Sequence, residues 1–373
     1  MTILTVNPGS STLKAALYQD TVKGATTEGL ERRDSCSLDT PAESYGSFLA
    51  TWLDGRAPEA VGYRVVHGGS KYRAPIMLSD VVVSELARLS TIDPDHMPQA
   101  LTLIGELRQR FPGVPHVACF DTAFHRHMPR VAQLYPLPRA LASAGVIRYG
   151  FHGLSYEYIM MRLTRDFAAT SEGRIVIAHL GNGASMAAVR QGVGIDTTMG
   201  FTPTGGLMMG TRCGDLDPGV LVYLTAEQHM GGEELAMLLN HQSGLLGMSD
   251  LSADMRELLE QEGTDYRARE AVDMFCYLAR KHLGGLIAAL GGVDTLVFTG
   301  GIGERAPSVR ARIVDGLDFL GLEIDESRNR AQADVISKDT AGVTVRVIPT
   351  DEDFMVAMHT RRLLSRTPRT AST

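Results

Sequence analysis

The chain has 373 residues, 44% of them hydrophobic, which is enough for large buried cores and, by length, for two domains. A net charge of −7 and a pI near 5.9 exclude the basic footprint of a nucleic-acid binder. No apolar run approaches a membrane span, and the start of the chain lacks a basic region followed by a long apolar stretch. With Cys36, Cys119, Cys213 and Cys276 scattered and without metal-ligand spacing, the expectation is a cytoplasmic protein with free thiols and no membrane partner.

Taken in order, Ile3–Val6 reads as an apolar strand, Asn7-Pro8-Gly9-Ser10-Ser11-Thr12 as a tight turn, and Leu13–Tyr18 as a second strand. Residues 20–60 are polar and poorly patterned, and read as the least ordered part of the first half. Val61–Val66 reads as a strand with Arg64 embedded in it, followed by His67-Gly68-Gly69. Helical spacing covers Val81–Leu89 and Ala100–Arg110, the second closed by Pro112. His116–Phe120 reads as a strand, with Asp121 directly after it.

The hairpin then recurs: Ile175–Ala178, the turn His179-Leu180-Gly181-Asn182-Gly183-Ala184-Ser185, and Met186–Val189. Later, Ala271–Leu290 reads as a long helix, Thr295–Phe298 as a strand running into Thr299-Gly300-Gly301-Ile302-Gly303-Glu304, and Asp353–Leu364 as a terminal helix before a frayed tail. Strands and helices alternate throughout, so the class is α/β.

Glycine lets backbone amides converge on an anion, and small hydroxyls add donors without bulk. For either hairpin alone an ordinary turn is an equal alternative. Two copies suggest a duplicated domain gripping a polyphosphate. None of the three glycine clusters fits a P-loop or a dinucleotide fingerprint. Arg64 in an apolar strand needs an anion, either an internal ion pair or a ligand. Arg212 sits in the glycine-flanked turn Gly210-Thr211-Arg212-Cys213-Gly214, and His152 lies between Phe151 and Gly153, where a structural histidine remains the alternative.

The segments NPGSSTLK, GYRVVHGG, CFDTAFH, RYGFHGLS, HLGNGAS, DTTMGFTPTGGLMMGTRCGDLDP, SGLLGMS, FTGGIGE and VIPTDED closely resemble the acetate kinase family, in the family's order, from residue 3 to about 360. The resemblance implies an α/β fold of two ribonuclease-H-like (actin-type ATPase) domains with a nucleotide cleft between them. It places one domain at residues 1–121 plus the terminal helix from about 355 to 373, and the other at 122–354. It implies reversible transfer of the ATP γ-phosphoryl group to acetate, giving acetyl phosphate and ADP, in a homodimer. Close alternatives are propionate or another short acyl group, and, from another class, a nucleotide-dependent switch that transfers nothing.

By the same resemblance, Asp121, His152 and Arg212 are catalytic, and Arg64, Val66, Phe151 and Pro203 bind the carboxylic acid. Ser10, Thr12, Lys14, His179, Leu180, Gly181, Asn182, Gly183, Asp254, Met255, Arg256, Gly301, Ile302, Gly303, Glu304 and Arg305 match nucleotide-binding segments. Asn7 and Glu352 match the holders of Mg²⁺, with Mn²⁺ as a substitute. A carboxylate nucleophile is already ionised at neutral pH, its pKa being roughly 4–5, so arginines and a histidine suffice without a strong base. The chain departs from the family at Asp95-His96-Met97-Pro98, where Leu-His-Asn-Pro is usual, and at Asp351, where Asn is frequent. Asp95 is expected to cap the helix through Ala100 in preference to facing an anionic substrate.

Overall fold

The computed structural model describes residues 1–9, 12–21, 29–39 and 45–366, except for the side chains of Asp39 and Ala169. The chain forms two compact units. The first comprises Met1–Arg126, Phe151–Tyr158 and the chain from Asp351 onward; the second comprises His127–Gly150 and Ile159–Thr350. The first unit thus takes up residues 122–126, 151–158 and 351–354, beyond the boundary expected from the sequence, and His152 lies in it.

The first unit is built on β1 (Thr2–Pro8), β2 (Thr12–Asp20), β3 (Leu30–Asp39), β4 (Ala60–Val65), β5 (Ile76–Met77) and β6 (His116–Phe120), in the order β3-β2-β1-β4-β6-β5. β1, β2 and β3 form an antiparallel meander, while β4 and β6 run parallel to β1. The second unit has β7 (Arg174–Leu180), β8 (Ala184–Arg190), β9 (Val193–Thr197), β10 (Thr295–Thr299) and β11 (Thr344–Val347), in the order β11-β10-β7-β8-β9. Here too the first three strands are an antiparallel meander and the last two run parallel to the first of them. The order β3-β2-β1-β4-β6 is therefore repeated as β9-β8-β7-β10-β11. This is the ribonuclease-H-like plan of actin-type ATPases, present twice.

The parallel strands are apolar almost throughout because both faces are covered. In the first unit Leu103, Ile104 and Leu107 pack one face of the sheet, together with Leu49 and Leu53. The terminal helix Glu352–Arg366 covers the other, where Ala357 joins Ile3, Ala16 and Ala60. Gly62 of β4 allows that approach, since a Cβ there would collide with Val356 and Thr360. In the second unit the helix Tyr266–Leu290 buries Val272, Phe275, Ala279, Leu283, Leu286 and Leu290, a helical stripe between an Asp265 cap and Gly291 at φ +73°.

Several elements differ from the sequence expectation. Of the region 20–60, residues 22–28 and 40–44 lie outside the described residues; the rest contains β3, a strand of charged residues on the sheet edge that buries little but Cys36 and Leu38, so it carries no apolar alternation to read. It also contains the helix Tyr45–Leu53. The third glycine cluster, expected as a loop, opens a short helix, Gly300–Arg305. The helix expected from Ala100 starts at Met97, with His96 at its N-cap position and no side-chain cap. His96, and not Asp95, thus occupies the N-cap position. The carboxylate that engages this turn is Asp93, 2% exposed, whose Oδ1 lies 2.7 Å from His96 Nδ1.

The terminal helix is capped by Asp351, whose Oδ1 accepts from Phe354 N at 2.9 Å and whose Oδ2 meets Arg32 Nη2 at 2.5 Å. This accounts for an acid where the family has Asn: it caps equally well and gains a cationic partner. Asp353, also in the first turn, is less well served. Among the described residues its Oδ1 is buried without a hydrogen-bond partner. Burial, then Glu352 and Asp351, push its carboxyl up to about 6 against the pull of Arg32 and Lys14. Because the folded value lies above the unfolded one near 4, the stability this group contributes is full below about pH 4 and is lost as pH rises through 6. The loss amounts to on the order of 2–3 kcal/mol at neutral pH. Asp353→Asn should therefore raise the melting temperature at pH 7.5 and leave it nearly unchanged at pH 4, which thermal melts across pH will check.

Candidate active site

Three parallel strands of the first unit deliver polar groups at their C-terminal ends, the edge at which open α/β sheets bind ligands. β1 ends beside Asn7, β4 presents Arg64, and β6 runs into Asp121. Register places Arg64 beside Cys119, one step before the β6 terminus, so its side chain reaches Asp121 directly. Arg64 Nε donates to both Asp121 oxygens at 3.2 and 3.1 Å, and Nη2 donates to Oδ2 at 2.6 Å. Arg64 Nη1 donates to Asn7 Oδ1 at 3.0 Å, and Asn7 Nδ2 donates to Glu352 Oε2 at 3.1 Å. Glu352 Oε2 stands 3.7 Å from Arg64 Nε. The structure thus brings together four residues far apart in the chain, Asn7, Arg64, Asp121 and Glu352.

Burial pulls the Arg64 pKa down, but Asp121 and Glu352 more than offset it, and the guanidinium is held charged. Burial pushes the Asp121 carboxyl above its ordinary value, and Arg64 draws it back. Asp121 is wholly buried. A carboxylate in that position is tolerated because a two-pronged guanidinium satisfies it.

His152 joins the same unit by strain and close packing. Its φ of +56° is uncommon for a side chain with a Cβ. The next residue, Gly153, lies so close to the Asp121 carbonyl that any Cβ there would overlap it. This contact fixes the start of the helix Gly153–Asp166 against the end of β6, with His152 one residue before it. Phe151 is 1% exposed, its ring meets His67 edge-on at 5.5 Å, and its carbonyl bonds His125 Nε2 at 3.0 Å. Val66 precedes His67 and is buried.

The second unit gathers another set. Asn182, in the β7–β8 turn, accepts from Gly210 N through its backbone oxygen at 3.0 Å. A Cβ on Gly210 would press on the Asn182 side chain and the Ala253 carbonyl, so the Asn182 turn, the Arg212 turn and the Asp254 segment adjoin. Arg212 Nη1 donates to the Pro203 carbonyl at 3.2 Å. Gly181 and Gly301 are also neighbours, a Cβ on the former lying 3.8 Å from Gly301 N. Gly183 closes its turn by accepting from Gly181 N at 3.1 Å.

Several of the expected nucleotide residues have local structural duties. Leu180 is fully buried, and Met255 nearly so. Asp254 caps the helix Met255–Gln261 by accepting from Arg256 N at 2.8 Å. Glu304 Oε1 accepts from Gly300 N at 3.0 Å and Thr350 N at 3.1 Å, bracing the ends of β10 and β11. Ile302 is half-buried, Gly303 is buried, and Gly301 and Arg305 are exposed. His179 is half-buried on β7. Thr12 and Lys14 start β2, the latter exposed, while Ser10 lies outside the described residues. Sequence reasoning missed Asp93 with His96, and Asp351 with Arg32. The first had a legible signal in Asp-Pro-Asp, assigned to the wrong acid; the second had none, since Arg32 and Asp351 are 319 residues apart.

Among the described residues no group of three or more His, Cys, Asp and Glu could hold a metal ion unaided. The Asn7–Glu352 pair beside Asp121 is a hard-oxygen set, and it suits a cation such as Mg²⁺ that keeps much of its water shell.

The model of the acetokinase family matches residues 55–358. The chain is 44% identical to an acetate kinase of Methylocella silvestris over 97% of this chain and 98% of that protein. Its structure resembles the crystal structure of Porphyromonas gingivalis acetate kinase, with 34% identity, a TM-score of 0.84, and coverage of 97% and 99% of the two chains. It also resembles a propionate kinase from Francisella tularensis, with 32% identity, a TM-score of 0.87, and coverage of 96% and 99%. A family match over most of the length, and relatives aligned along nearly the whole chain, show that this chain belongs to the acetokinase family.

Proposed function

We propose that this chain catalyses reversible transfer of the γ-phosphoryl group of ATP to acetate, giving acetyl phosphate and ADP by direct in-line transfer, in the cytoplasm. The observation that carries this reading is Arg64, a guanidinium held rigidly by a buried carboxylate at the C-terminal edge of a parallel sheet. A protein that merely binds nucleotide has no need of such a cation. Asp121 takes the Nε–Nη2 edge of Arg64, so an incoming carboxylate meets the Nη1 end beside Asn7. Asp121 is then an orienting group for Arg64 and not a proton donor, since the substrate acid is already ionised.

Arg212 and His152 supply positive charge and a donor to the equatorial oxygens of the transferring group, where negative charge must be neutralised. Val66, Phe151 and Pro203 give the acyl group apolar surroundings. Thr12, Lys14, the His179–Gly183 turn, Asp254–Arg256 and Gly301–Arg305 bind ATP or ADP, and Ser10 belongs with them by its motif. Glu352 and Asn7 would hold Mg²⁺, or Mn²⁺ in its place, which would supply neutralisation of phosphate charge.

A second reading, propionate as the preferred acid, rests on the likeness to the Francisella tularensis propionate kinase. One methylene is worth about 1–3 kcal/mol in an apolar pocket, so the two acids are separable by rate. A hydroxamate assay with ATP and Mg²⁺ should rank acetate first by kcat/KM, ahead of propionate and butyrate; propionate in first place would install the second reading. In the same assay Arg212→Ala should lower kcat by at least about a hundredfold, on the scale of losing one transition-state donor. Near-normal turnover would remove the proposed role.

Glu352→Ala should raise the Mg²⁺ concentration needed for half-maximal activity severalfold. The helix cap is Asp351, so capping cannot account for such a shift. An unchanged Mg²⁺ titration would exclude Glu352 as its anchor.

We also propose a homodimer. No residue of the helix Pro218–Glu227 is buried, and it turns Val222 (68% exposed) and Tyr223 (55%) to solvent, with Met237 of the helix Gly232–His241 also exposed. So apolar a surface calls for a partner. Light scattering should give twice the chain mass, and Val222→Asp should shift the protein toward monomer; a wild-type mass of one chain would overturn the assembly.

A further inference from the structure

Arg310, on the helix Pro307–Val314, is a cation with no solvent exposure at all. Among the described residues no carboxylate pairs with it. Its Nε donates to Asn329 Oδ1 at 2.8 Å, its Nη1 to the carbonyls of Gly303 and Glu304 at 2.9 Å each, and its Nη2 to the Asn329 carbonyl at 2.9 Å. All four acceptors are neutral. Burial alone draws its pKa down to about 10, so it stays charged at neutral pH. Asn329 is itself fixed, donating through Nδ2 to the Pro307 carbonyl at 2.9 Å.

Burying a guanidinium without a counter-ion is costly, and an apolar side chain could fill the same volume. What only the planar fork supplies is several donors in fixed relative directions. Two of its bonds end on Gly303 and Glu304, the last turn of the short glycine-rich helix Gly300–Arg305. The other end of that helix is held by Glu304, whose carboxylate accepts from Gly300 N and Thr350 N. The glycine turn is therefore clamped at both ends.

We infer that Arg310 is a positioning residue for the nucleotide site, its guanidinium locking the Gly300–Arg305 turn in the shape that receives ATP. The inference rests on the assignment of Gly301–Arg305 to nucleotide binding. It separates Arg310, which touches no substrate, from Arg64 and Arg212, which face the carboxylic acid and the transferring group. Removing it loosens one substrate's site and spares the other's.

The test is steady-state kinetics of Arg310→Met and Arg310→Lys, with calorimetric titration of Mg²⁺-ADP into each. Arg310→Met should raise the KM for ATP at least fivefold and weaken ADP binding to match, with kcat and the KM for acetate within twofold of wild type. Arg310→Lys, which keeps the charge and part of the donor set, should recover about half of the loss on a logarithmic scale. If Arg310→Met does not fold, Asn329→Ala removes the Nε acceptor and the tie to Pro307, and should raise the ATP KM in the same selective way. A variant with a lower melting temperature but an unchanged ATP KM would overturn the inference, as would equal rises in both KM values. Wild-type protein that binds no ADP would remove the nucleotide assignment itself, and the inference with it.

Discussion

The buried contact between Arg64 and Asp121 is the interaction on which the site in the first unit depends. It joins the ends of β4 and β6 and, through Asn7, the end of β1, so three parallel strands are tied at one edge by one guanidinium. Neither partner is tolerable alone. Breaking a buried pair by removing one member costs about 3–5 kcal/mol, because the other charge is stranded. The pair thus holds a cation ready without the reorganisation that a mobile surface arginine would need, which is the condition for electrostatic stabilisation of a transition state.

Helix starts do the rest of the positioning. The helix from Gly153 is pressed on the Asp121 backbone, which places His152 beside the same strand end. The terminal helix is capped by Asp351, which leaves Glu352 to reach Asn7. An acid at the capping position costs nothing there because Arg32 and the Tyr18 hydroxyl surround it: Arg32 Nη2 donates to Tyr18 Oη at 2.8 Å and to Asp351 at 2.5 Å. The departure from the family at this position is a local exchange of Asn for an ion-paired Asp, and the geometry of Glu352 is untouched by it.

The duplicated plan explains why the two units carry comparable polar turns. In each, a hairpin joins the first two strands and glycine-rich or polar segments follow the parallel strands, because those ends expose amides and carbonyls that the sheet no longer pairs. The second unit uses its corresponding ends for the Asn182 turn and the Gly300–Arg305 turn. In the first unit an ion pair stiffens that edge; in the second, a buried cation bonded, among the described residues, to neutral oxygens does so.

The sequence by itself determined the repeated strand–turn–strand device, the apolar parallel strands and the long helix of the second unit, because each is written in contiguous periodicity. It also marked Arg64, since a guanidinium in an apolar strand must meet an anion. It did not reveal β3, whose edge position leaves it charged and without apolar alternation, nor which acid of Asp-Pro-Asp would turn inward. Arg310 reads as one more basic residue on a polar helix, and Asp351 as one of three consecutive acids. Only the tertiary structure decided that the first would be sealed from water against the carbonyls of Gly303 and Glu304 and the amide of Asn329, and that the second would cap while its neighbour reached Asn7. Such assignments depend on partners hundreds of residues away or on burial, and neither leaves a mark in local sequence.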